Sequence, residues 1–136
     1  MTLFEWNEKF SVSVARMDEQ HKHFLKLLNK LNEAILREGD RELVGSAINS
    51  LHVYALVHFR DEEAILAGCG YPGLGQQRRE HLFFVRQIQE MEASHQGGSP
   101  VQLSSIVCFL RDWFIHHITE EDKRYERCVN GNRTDA

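Results

Sequence analysis

Six side chains in this chain have the types and spacing of a ligand set for two transition-metal ions: His21, His58 with Glu62 four residues later, His81, and His117 with Asp122 five residues later. Each falls within an otherwise apolar helical stripe, where a histidine or a carboxylate is costly to bury without a partner. Taken singly, a core histidine is commonly satisfied by a hydrogen bond, and a His-x-x-x-Glu pair is commonly a surface pair worth only about 0.2–0.5 kcal/mol. Four inward histidines and two inward carboxylates, one group per helix, have no such inexpensive explanation. Imidazole with carboxylate suits Fe, Mn or Zn, whereas Ca and Mg prefer oxygen alone. The repeated Glu-x-x-His pairs of carboxylate-rich ferritin-type bundles do not occur in these helices.

The helical offsets place these groups. His21 shares a face with Phe24, Leu25 and Leu28; His58 follows Leu51 and Tyr54 and precedes Glu62 and Leu66 on one face. His81 leads into Phe84, Val85 and Ile88, and His117 follows Leu110, Trp113 and Phe114. Asp122 is the exception, because an offset of five turns a regular helix about 140° past His117. Local unwinding or a long reach is needed to bring it back. His23, His52, His95 and His116 lack inward offsets and are read as peripheral.

The elements that must carry these residues are legible from stop and start signals. The expected fold is all-α, an up-down-up-down four-helix bundle with an extended N-terminal arm, in a single domain over residues 1–136. Residues 1–17 read as the arm, with Trp6 as its anchor. Asp18 is the expected N-cap of a first helix over 18–38, stopped by Gly39. Asp40 can cap a second helix over 41–67, with Leu43, Ala47, Leu51, Tyr54, Val57 and Leu66 as its apolar positions. The glycine-rich run from Gly68 to Gly75 is a loop, and a third helix spans 76–95. Ser99 and Pro100 start a fourth helix that runs to residue 128, and the tail from Val129 is expected to fray.

Composition excludes several classes. Sixteen basic and twenty acidic residues give a formal charge of −4 with no basic run, which argues against nucleic acid or an anionic membrane as partner. The apolar runs end before the roughly 18 residues a spanning helix needs, and the start has no signal-peptide pattern, so a cytoplasmic location is expected. Cys69, Cys108 and Cys128 read as reduced thiols in a reducing compartment.

Trp6, the run Met17-Asp18-Glu19-Gln20-His21, the run His58-Phe59-Arg60-Asp61-Glu62-Glu63, Tyr71-Pro72, Glu80-His81, and Trp113-Phe114-Ile115-His116-His117-Ile118 through Asp122 and Tyr125 occur in this order along nearly the whole chain. In this the chain resembles the bacteriohemerythrins. The resemblance implies reversible binding of dioxygen at two non-haem irons, oxo- or hydroxo-bridged, with Glu62 and Asp122 bridging. His21 and His58 would complete one iron, and His81 and His117 would serve the other. By the same resemblance Phe24, Phe59, Trp113 and Ile118 line a dry dioxygen pocket, and Tyr125 hydrogen-bonds a bridging carboxylate. Nitric oxide and small anions are further candidate ligands.

One position departs from that pattern: Gln77 stands four residues before His81, where the family has another histidine. An amide oxygen is a weaker donor than imidazole, so the adjoining iron is expected either to bind less tightly or to keep a water or an open position. Carriage, storage or sensing of dioxygen is the leading expectation. The alternative is a diiron oxidoreductase acting on dioxygen, peroxide or nitric oxide at a site opened by Gln77.

Overall fold

The computed structural model describes residues 5–37, 41–98 and 100–131. Four long helices dominate it: α1 (Ala15–Leu36), α2 (Arg41–Gly68), α3 (Leu74–Gln96) and α4 (Pro100–His116). α1 packs on α2 and α4, and α3 packs on the same two, giving the closed square of a four-helix bundle. No strand occurs among the described residues.

Each helix buries one stripe, and the stripe of α2 corrects the expected one. Val44, Ile48, Leu51, Ala55, Phe59 and Leu66 face inward, while Leu43 and Val57 are exposed. Helix α2 has apolar residues on more than one side, so two stripes at helical spacing compete in its sequence. The stripe continuous with His58 and Glu62 is the fully buried one, while Ala47 and Tyr54 of the expected stripe pack at its edge, partly buried.

The buried residues divide into two clusters with the polar groups between them. Along α1, Met17 belongs to one cluster, His21 comes next, and Phe24 and Leu25 belong to the other. On α2, Phe59 and Leu66 flank Glu62 in the same way, and on α3 partly buried Leu74 and buried Phe84 flank Gln77 and His81. The smaller cluster of Val12, Met17, Leu66 and Tyr125 therefore closes one side of a polar layer that the main core closes on the other. Apolar packing on both sides walls that layer off from bulk solvent.

The N-terminal arm differs from its expected form. A 3-10 turn (Glu8–Phe10) interrupts it, and α1 starts at Ala15, so Asp18 is not the helix cap. Asp18 instead accepts hydrogen bonds from the Ser11 hydroxyl (2.6 Å) and the Val12 amide (2.8 Å), tying the arm down on α1. Trp6 is partly buried against the core, edge-on to Phe10 and beneath the Lys22 ammonium. The caps expected at Asp40 and Ser99, and the stop at Gly39, lie outside the described residues.

The end of the fourth helix is irregular. α4 gives way to a π turn (His117–Glu121), a 3-10 turn (Asp122–Tyr125) and a short helix α5 (Glu126–Gly131), so the backbone is helical through Gly131 where fraying was expected from Val129. A disulfide joins Cys69, just after α2, to Cys128 in α5, with the Cα atoms 6.0 Å apart. This overturns the reading of these two cysteines as free thiols; Cys108 is free and exposed. The pair lies 59 residues apart in sequence and is brought together only by the fold, so spacing could not reveal it. Cysteine usage consequently gives no support to a reducing compartment. No helix among the described residues is long and apolar enough to cross a membrane.

Candidate metal centre

Helical register delivers His21 from α1, His58 and Glu62 from α2, and Gln77 and His81 from α3, all at most 3% exposed. His117 and Asp122 come from the π turn and the residue that follows it. There the Asp122 amide donates to the His117 carbonyl, a hydrogen bond spanning five residues rather than four. The wider ring absorbs the extra residue, so Asp122 returns to the buried side that a regular helix would have carried it past. Both residues are buried, at 2% and 0% exposure.

The carboxylates sit between two pairs of imidazoles. Glu62 Oε1 is 2.8 Å from His81 Nε2, while its Oε2 is 3.7 Å from His21 Nε2 and 3.8 Å from His58 Nε2. Asp122 repeats the pattern: Oδ1 is 3.0 Å from His117 Nε2 and Oδ2 is 3.4 Å from His21 Nε2. Ligand atoms of His21, His58 and Glu62 lie within 4.8 Å of one another, and so do those of Glu62, His81 and His117. Each carboxylate thus offers one oxygen to each side.

Hydrogen bonding leaves much of this layer unsatisfied. Both ring nitrogens of His21, both of His117, Oδ2 of Asp122 and Oε1 of Gln77 are buried without a hydrogen-bond partner. Buried polar atoms are rarely left so, because each costs about 1–3 kcal/mol. Two cations held by the two imidazole pairs and shared carboxylates would engage Nε2 of His21, Nε2 of His117 and Oδ2 of Asp122 at once. The donor set fits a pair of divalent transition metals.

Contacts behind the imidazoles fix their orientation. His58 Nδ1 donates to Gln20 Oε1, and Gln20 in turn donates to Asp61 (3.1 Å), which also pairs with Arg16 (2.9 Å). His81 Nδ1 donates to Glu63 Oε2 (2.8 Å). In both rings the outer nitrogen is engaged and Nε2 is turned toward the carboxylates, the arrangement that sets the tautomer of a metal-bound histidine. Gln20 and Glu63 had no assigned role in the sequence reading; their signal was adjacency to His21 and Glu62.

Charge is distributed unequally among these rings. Burial holds His58 neutral, lowering its pKa to about 3 despite the attraction of Glu62. Burial also works against a charged His81, but hydrogen bonds to Glu62 and Glu63 prevail and raise its pKa to about 9. His117 is raised as well, burial being outweighed by Asp122. Burial opposes ionisation of Glu62, yet His21 and His81 keep its carboxyl well below the usual carboxylate range. Without metal, the layer is held by protons in places a cation would take.

An aromatic wall covers the imidazoles. Phe59 stacks on His81 with ring centroids 4.0 Å apart, and Trp113 stacks on His117 at 4.7 Å. Phe24 meets His58 edge-on, Ile118 is fully buried, and Phe84 and Phe114 extend the wall between them. Phe84 and Phe114 were legible only as core positions, three residues from His81 and His117.

Residues 12–129 match the family model of the hemerythrin HHE cation binding domain. The chain belongs to the hemerythrin family. It is 28% identical over 131 residues to a bacteriohemerythrin of Methylococcus capsulatus, covering 96% of this chain and 99% of that one. A myohemerythrin of Riftia pachyptila is 25% identical over 123 residues, 90% of this chain and 91% of the other. A crystal structure of wild-type hemerythrin superposes with a TM-score of 0.86 at 28% identity, covering 93% of this chain and 98% of that one. The family implies a metal-binding site, and within this hemerythrin domain the layer between the two apolar clusters holds His and Glu groups able to bind a metal.

Proposed function

We propose that the chain binds dioxygen reversibly at two non-haem irons, for carriage, storage or sensing. The observation that carries this reading is the pair of buried carboxylates, Glu62 and Asp122, each directing one oxygen to each imidazole pair. His21 and His58 would hold one iron and His81 and His117 the other. Iron in such a site supplies the electrons that bind dioxygen. The protein's own part is to position and to exclude. Gln20 and Glu63 orient two of the imidazoles, Tyr125 donates to Glu62, and Phe24, Phe59, Trp113 and Ile118 keep bulk water and anions away from the bound gas.

The test is to prepare the ferrous protein without oxygen, admit dioxygen, and follow the visible spectrum by stopped flow. A stable oxygenated species that reverts under vacuum supports reversible binding. Immediate conversion to ferric protein with turnover of dioxygen, peroxide or nitric oxide would instead mark an oxidoreductase.

A further inference from the structure

Gln77 is 2% exposed and lies one turn before His81 on α3. Its Nε2 donates to Asp122 Oδ1 at 2.9 Å, the same oxygen that stands 3.0 Å from His117 Nε2. Its Oε1 has no hydrogen-bond partner. A bond from an amide N–H to a carboxylate is charge-assisted, and flipping the amide would replace it with a repulsive oxygen–oxygen contact. An amide nitrogen has no lone pair to give a metal in exchange.

With Gln77 held in this way, the two halves of the centre carry equal protein donors. His21 and His58 face one oxygen of each carboxylate, and His81 and His117 face the other. We infer that Gln77 acts as a hydrogen-bond donor to Asp122 and not as a metal ligand, so that each imidazole pair leaves a coordination position for its own small exogenous ligand. The class is a monodentate anion or a neutral diatomic molecule, one at each metal. This rests on the two-metal reading above.

The inference is tested on the metal-free chain reconstituted with Co2+ and titrated with azide, by calorimetry and by the visible bands of the cobalt. The expected result is two azides per chain carrying two cobalts in the wild type and in Gln77→Leu, against one in Gln77→His. A wild type that takes up two cobalts but only one azide overturns the inference and leaves the two-metal reading standing. So does an equal azide count in the wild type and Gln77→His. A wild type that takes up no cobalt, or only one, refutes the two-metal reading and the inference together.

Discussion

The Tyr125 hydroxyl donates to Oε2 of Glu62 at 2.8 Å, while Oε1 of the same carboxylate accepts a hydrogen bond from His81 Nε2 at 2.8 Å. Glu62 is thereby stretched between the segment after the π turn and α3. Burial and the two carboxylates hold the Tyr125 hydroxyl protonated, with its pKa well above the usual value, so it remains a donor throughout the neutral range.

Tyr125→Phe removes that donor with little change of volume and leaves one Glu62 oxygen short of a partner. Metal affinity is expected to fall about 10- to 100-fold, as for other groups that orient ligands from behind. Competition against a chelator of known affinity measures it. An unchanged affinity would show that Glu62 needs no such support.

Replacing His21 by Phe should raise the stability of the metal-free protein while abolishing metal at its position. Both ring nitrogens of His21 are buried without a hydrogen bond, Nε2 standing 3.4 Å from Asp122 Oδ2, and Phe114 already lies edge-on to the ring at 5.4 Å. Relief of unpaired polar atoms is worth about 1–3 kcal/mol. Denaturant titration with and without Co2+ separates the two effects; a metal-free variant less stable than wild type would show that the orphaned ring is not a burden.

Metal uptake should release protons at neutral pH. His81 has a pKa raised to about 9, so it is protonated at pH 7 in the metal-free chain, and a cation can use Nε2 only after that proton leaves. Apparent affinity is therefore expected to rise with pH up to about 9 and then to level off. The same ring contributes to metal-free stability below the unfolded histidine pKa near 6.5, and that contribution disappears as pH rises through 9. Calorimetry in buffers of different ionisation enthalpy counts the protons; a count of zero at pH 7 would refute the assignment.

Reducing the Cys69–Cys128 bond should cost about 2–4 kcal/mol of unfolding free energy, since a cross-link over this separation restricts the unfolded chain. The loss should be felt near the metal layer, because Cys128 follows Tyr125 by three residues and Asp122 by six. Cys128→Ser, compared with wild type by hydrogen exchange, should show faster exchange across the π turn and α5. Uniform exchange in the two proteins would separate the disulfide from the site.

Much of this architecture is written in local pattern. Glycine and proline divide the chain into helical lengths, and offsets of three and four from Phe24, Tyr54, Phe84 and Trp113 are enough to turn His21, His58, His81 and His117 inward, because side-chain direction in a regular helix depends only on spacing. That logic ends where the helix is not regular or where the partner is remote. The five-residue offset of Asp122 excludes a common face in an α-helix. Whether the chain answers with a π turn is decided by what surrounds the buried carboxylate, His21, His117 and Gln77 coming from other turns and other helices. The inward stripe of α2, the joining of Cys69 to Cys128 and the way the Gln77 amide faces are likewise properties of packing. Each turns on a contact between segments distant in sequence, and a one-dimensional period carries no information about such contacts.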